Sequence, residues 1–237
     1  IWRHKKHQFG KTLNKQAPPL GLLRNHPRMI IMGEKNLVKK NFDYDLRTEK
    51  ILPSQILEEK TLCRNHWTEL VELTYRDEKN QIRQWEGVHR SSRSSAVVIV
   101  PRLVPSGSYV LIRQFRPPTG KYLLEFPAGL IDEGESPAET AVRELKEETG
   151  YFCKIESVTP PLFTSPGLLS ESCFMAFVSI DEEIPQNRFP EAENEPGECI
   201  EVIVLKAEKI LPYLDDAAEK GDGIDIKLYT YFKTNQF

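Results

Sequence analysis

The sequence predicts an α+β fold in which a mixed sheet is sandwiched between helices and preceded by a small β-rich segment. Three observations carry that prediction. Short alternating or continuous apolar runs recur between residues 67 and 126, a strongly capped helix begins near residue 137, and strand-like runs resume after it. Strands, a helix, then strands, without strict βαβ alternation, suit a mixed sheet covered by helices. There are no internal repeats, and no apolar run approaches a bilayer span, which argues against a membrane protein.

The elements follow in chain order. Residues 1–45 show no sustained period and contain Pro18-Pro19 and Gly21, so they read as a poorly ordered arm. Ten Lys or Arg face one acid, Glu34, in residues 1–40, a formal +9 that leaves −12 for the rest of a chain totalling −3. A solvated arm is the expectation. An organelle-targeting peptide and a nucleic-acid-binding tail are its rivals, although the arm has little Ser and few aromatics.

Trp67–Tyr75 and Gln81–Val88 alternate apolar and polar residues around the turn-forming Asp77–Asn80, which predicts a β-hairpin. Ala96–Val100 reads as a strand buried on both faces. Tyr109–Phe115 and Tyr122–Phe126 are further strands, separated by Pro117-Pro118-Thr119-Gly120. Ser136, Pro137 and Glu139 supply a cap, a first helical position and a capping box. Ala141, Val142 and Leu145 form the expected apolar stripe, and Gly150 the stop. Cys173–Ile180 and Cys199–Leu205 are strands, and Ala207–Glu219 an amphipathic helix. The four cysteines are widely spaced with no CxxC pair, so they read as reduced, buried structural thiols in a cytosol-like compartment.

The chemistry is concentrated in residues 129–150. Glu144, Glu147 and Glu148 lie three and four residues apart and share one helix face. Clustered carboxylates repel unless protons or a cation neutralise them, and hard oxygen ligands suit Mg²⁺ or Mn²⁺ shared with phosphates. From the helix alone, a solvated acidic face is the better explanation of these residues. The flanking residues decide. Gly129, Glu135, Arg143-Glu144-Leu145, Glu147-Glu148 and Gly150 fill the pattern G-x5-E-x7-R-E-U-x-E-E-x-G-U. Only Tyr151 departs, standing where an aliphatic residue closes the pattern.

That segment resembles the Nudix box, and the chain is identified by it as a Nudix hydrolase. From Glu58 to Lys233 it is similar to the ADP-sugar pyrophosphatase branch, particularly the ADP-ribose type. The resembling stretches are Trp85–Arg90, Arg113–Pro118, Glu125–Ile131 and Ser165-Pro166-Gly167, with Pro166 sixteen residues after Gly150. The resemblance implies a Nudix α/β/α sandwich over residues 93–237, preceded by a β-rich dimerisation and adenine-binding domain over 46–92.

It also implies roles. Glu144, Glu148 and the carbonyl of Ala128 would bind metal, with Glu147 a further ligand or metal-water contact. Arg143 would orient the glutamates, and Glu135 would support the loop. Trp67 and Trp85 would sandwich adenine, one from each subunit of a homodimer, with Glu86 accepting the adenine amino group. Arg90 and Arg116 would contact the nucleotide or its phosphates, while Leu130 and Ser165 would line the substrate site. Ser165 stands where relatives often carry an acid, which leaves the sugar preference open. Glu198 is the favoured catalytic base and a further metal ligand, with Glu195 and Glu193 as alternatives. The expected substrate is ADP-ribose, cleaved to AMP and ribose 5-phosphate. ADP-glucose or GDP-mannose hydrolysis, a silent nucleotide-binding module and an RNA-decapping type are the rival readings. The expected location is cytoplasmic, with an organelle or the nucleus as the alternatives, and no nucleic-acid partner is expected.

Overall fold

The computed structural model describes residues 53–194, 197 and 199–235. The basic arm of residues 1–45, and Glu195 and Glu198 among the candidate bases, lie outside the described residues.

Strands β1 (Gln55–Arg64), β2 (Thr68–Arg76) and β3 (Ile82–Arg90) form an antiparallel three-stranded sheet in that order. The β2–β3 hairpin turns where the sequence places it. Asp77 Oδ1 accepts from the Lys79 and Gln81 amides at 2.9 and 2.8 Å, and Asn80 takes the left-handed conformation at φ 60°.

The larger sheet has nine strands. They are β4 (Ala96–Val104), β5 (Ser108–Arg116), β6 (Lys121–Glu125), β7 (Ala128–Leu130), β8 (Lys154–Val158), β9 (Leu162–Phe163), β10 (Ser172–Asp181), β11 (Ile200–Lys206) and β12 (Gly223–Ile224). The path β12-β6-β5-β4-β10-β8 is extended by β11 on β5, β7 on β4 and β9 on β10. Pairings β4–β10 and β6–β12 are parallel and the others antiparallel, so the sheet is mixed.

Helices cover it on two faces. Val97 and Ile99 of β4 pack with Val110, Ala176, Val178 and with Ala141 and Leu145 of α1 (Pro137–Thr149). Val98 and Val100 pack with Leu111, Leu124 and with Ile210, Leu214, Leu228 and Phe232 of α2 (Ala207–Glu219) and α3 (Ile226–Thr234). Alternate residues of one strand thus serve opposite layers, as the two-residue period of a strand requires. That double burial is why Ala96–Val100 reads as a continuous apolar run.

The capping box of α1 is formed. Ser136 N donates to Glu139 Oε2 at 2.8 Å, and Glu139 N donates to Ser136 Oγ at 3.3 Å. The helix stops at Gly150, whose φ is 77°. Two expectations need correction. Val142, placed on the buried stripe, is exposed, because the stripe runs along Ala141 and Leu145 and continues to Glu148 and Thr149. The cysteines are all free, but Cys173 alone is buried. Cys153 is half-buried, with its thiol pushed up to about 11 by burial, while Cys63 and Cys199 are exposed.

Candidate active site

Strand β7 and helix α1 meet at a cleft of about 760 Å³. Antiparallel pairing of β7 to β4 sets Ala128 opposite Val98 and Gly129 opposite Val97, fixing this short strand on the sheet's central ladder. The Ala128 amide donates to Glu148 Oε2 at 3.1 Å, and Glu148 as a residue is only 5% exposed. Next to it, Gly129 leaves room for Glu144. A Cβ on Gly129 would fall 1.9 Å from Glu144 Cδ and 2.0 Å from Oε1. The glycine of the sequence pattern is therefore a cradle for one of its glutamates.

Arg143 organises the rest. Its Nε and Nη2 form a fork on Glu135 at 3.0 and 2.9 Å, and Nη2 also donates to the Leu130 carbonyl at 3.3 Å. Its Nη1 donates to Glu144 Oε1 at 2.8 Å and Glu147 Oε2 at 3.0 Å. Thr140 Oγ1 adds a bond to Glu135 at 2.8 Å. The Arg143 guanidinium holds the Glu135 carboxyl far below the usual range, at about 2, and the carboxylates in turn raise the arginine. Glu135 thus binds Arg143 and Thr140 of α1 at once.

Glu144, Glu147 and Glu148 all line the cleft, together with Glu125, Asp132, Glu171 and Asp225. The basic residues there are Arg90, Arg116, Arg143 and Lys227. The acids outnumber them, so the cleft favours cations. Among the described residues no three His, Cys, Asp or Glu side chains already converge as a metal cluster. The guanidinium of Arg143 lies between Glu144 and Glu147 instead. The donor set nevertheless fits a hard divalent ion: carboxylate oxygens from one helical turn, with the Gly129 cradle keeping a backbone-wide space free for Glu144.

Of the other sequence-expected residues, Arg90, Arg116, Leu130 and Ala128 line the cleft, whereas Trp67, Trp85, Glu86 and Ser165 do not. Arg90 bonds Glu171 through Nε at 2.8 Å, and Arg116 Nε bonds Glu125 at 2.7 Å. The tryptophans belong to no core: Trp67 is 71% and Trp85 51% exposed. Trp85 Nε1 donates to the Gly167 carbonyl at 3.0 Å, linking β3 to the Ser165-Pro166-Gly167 turn. Glu193 is tied to α1, accepting from Lys146 Nζ at 2.9 Å while its amide donates to the Glu147 carbonyl at 2.7 Å. Sequence reasoning missed Gln114, Glu125, Glu171, Asp225 and Lys227 as cleft residues. Glu125 lies in a resembling stretch three residues before Ala128, a signal that could have found it.

A model of the NUDIX domain matches residues 92–224 of the chain. The ADP-sugar pyrophosphatase of Mus musculus is 35% identical, over 74% of this chain and 84% of that protein. The ADP-ribose pyrophosphatase of Saccharomyces cerevisiae is 32% identical, over 87% of this chain and 92% of that protein. Among solved structures, an ADP compounds hydrolase superposes with a TM-score of 0.56 at 27% identity, covering 71% of this chain and 86% of that one.

Proposed function

The chain belongs to the Nudix hydrolase family, and from that premise we propose that it hydrolyses the diphosphate of ADP-sugars, ADP-ribose foremost, to AMP and ribose 5-phosphate. The observation that carries this reading is the cleft itself. Three glutamates of one helical turn share it with the guanidinium groups of Arg90 and Arg116, so a divalent ion and a diphosphate can meet there. The names of the mouse and yeast relatives support the choice of an ADP-sugar.

Glu144, Glu148 and the Ala128 carbonyl would hold Mg²⁺, or Mn²⁺ in its place, with Glu147 beside them. When bound, such an ion neutralises diphosphate charge and lowers the pKa of a coordinated water. The chain's own groups do the remaining work. Arg143 aligns Glu144 and Glu147. Arg116 and Arg90 orient the phosphates, each guanidinium being steadied by a carboxylate through Nε. Hydrolysis joins a water oxygen to phosphorus, breaks the bridging P–O bond and transfers a water proton to a carboxylate. Following the family resemblance, we assign that proton to Glu198, with Glu195 as the alternative; Glu193 is engaged by Lys146.

The test is a hydrolysis panel of ADP-ribose, ADP-glucose, GDP-mannose and a capped RNA. ADP-ribose is expected to give the highest kcat/KM and to release AMP. Chelation is expected to stop turnover, and Mg²⁺ or Mn²⁺ to restore it. Binding of ADP-ribose with no hydrolysis of any substrate would make the protein a nucleotide-binding module instead. We further propose a homodimer in which Trp67 and Trp85 of different subunits stack on adenine, in keeping with their exposure. Light scattering should return twice the 27.3 kDa chain mass, and a monomer that hydrolyses ADP-ribose would exclude this arrangement.

A further inference from the structure

The register of β5 and β6 sets a second group of polar side chains in the cleft. Ile112 pairs with Glu125, Gln114 with Leu123 and Arg116 with Lys121, so Gln114, Arg116 and Glu125 share one sheet face. Parallel pairing of Ile224 with Leu124, and the 3.0 Å bond from Asp225 N to the Leu124 carbonyl, add the start of α3 beside them. Nearly every polar group here has a partner. Arg116 is bonded to Glu125 at 2.7 Å, Lys227 Nζ to Asp225 Oδ2 at 2.6 Å, and Asp225 Oδ1 to the Lys227 amide at 2.8 Å.

Gln114 is the exception. Its Oε1 is buried and has no hydrogen-bond partner among the described residues, although the residue lines the cleft. A buried acceptor left unmet costs stability, so it calls for an occupant that donates a hydrogen bond. Ionised phosphate oxygens only accept, so they cannot supply that donor. A sugar hydroxyl both donates and accepts, so it satisfies a carboxamide whichever end faces it.

We infer that Gln114 is a specificity-determining residue that binds a ribose hydroxyl of the substrate, an assignment resting on the ADP-sugar reading above. Arg116 and Glu125 flank it as a guanidinium–carboxylate pair. The contact makes the enzyme read a hydroxyl in addition to the diphosphate. A site built to bond a hydroxyl discriminates strongly against the analogue that lacks it.

The experiment compares the wild-type protein with Gln114→Met, which keeps the length of the side chain and removes its polar end. Substrates are ADP-ribose and analogues lacking one hydroxyl of either the adenosine or the distal ribose. The wild-type protein is expected to lose about tenfold in kcat/KM on one analogue, which identifies the ribose contacted. Q114M is expected to show about a tenfold higher KM for ADP-ribose with kcat little changed, and to treat that analogue and ADP-ribose alike. Its substrate-free thermal midpoint should not fall, because no bond of Gln114 Oε1 among the described residues is lost. Equal discrimination by the two proteins, or a lower midpoint with unchanged KM, overturns the assignment. A wild-type protein inactive on ADP-ribose itself overturns the ADP-sugar reading instead, so the two failures are separable.

Discussion

Gly129→Ala is expected to lower kcat/KM by more than the roughly 100-fold that loss of an outer-sphere partner costs a metal site, while the thermal midpoint barely moves. The added methyl would lie 1.9 to 2.4 Å from the Cδ, Oε1 and Cγ atoms of Glu144. Those atoms form the end of a flexible side chain, so the fold yields by swinging the carboxylate away. The stability cost then stays below about 1 kcal/mol, within the range of changes that disturb no packing. The functional cost is large, because the displaced group is one of the proposed metal ligands and one of the two carboxylates on Arg143 Nη1. Steady-state kinetics and a circular-dichroism melt on the same preparation check the split. A variant with wild-type kcat/KM would remove Glu144 from the site.

Gly150→Ala is expected to do the reverse and strike stability first. Gly150 ends α1 in the left-handed region at φ 77°, and its Cβ would approach Glu191 N at 2.4 Å, with Glu191 C and O at 2.6 and 2.7 Å. These are backbone atoms, so the connecting segment around Glu191 must move. Strain at such a position costs about 1–3 kcal/mol, and the clash adds to it. For a unit of this size the midpoint should fall by about 5–10 °C. The shift also pulls on Glu193, whose bonds to Lys146 and to the Glu147 carbonyl tie it to the last turn of α1. An unchanged melt would show that this connection is free to rearrange.

The two glycines show why the site was legible in the sequence. Gly129, Arg143, Glu144, Glu147, Glu148 and Gly150 lie within 22 residues, so local spacing records what geometry demands of each. The best-read elements were also local: α1 with its capping box and α2 with its long amphipathic run. Strand β1 left no signal because every residue of it is exposed, so nothing forces its apolar positions to alternate. Helix α3 is nine residues long, and its buried pair, Leu228 and Phe232, supplies a single helical repeat behind the Asp225 cap. Gln114, Glu125 and Asp225 come together only through strand register, across more than 100 residues of chain. No spacing rule reports that.

Strand β3 carries Trp85, Glu86 and Arg90, and its length is fastened to residues 167–171. Trp85 bonds Gly167, Val88 exchanges backbone bonds with Leu168 and Ser170, His89 bonds the Ser170 hydroxyl, and Arg90 bonds Glu171. Residues proposed to recognise the base and residues beside the Ser165 turn are therefore parts of one bonded assembly. Substitutions that share partners in this way fall in the class whose energies do not add. Affinity lost on changing Trp85 will include whatever Gly167 and its neighbours lose with it. A double-mutant cycle across the seam, rather than a sum of single changes, is the measure of what each side contributes.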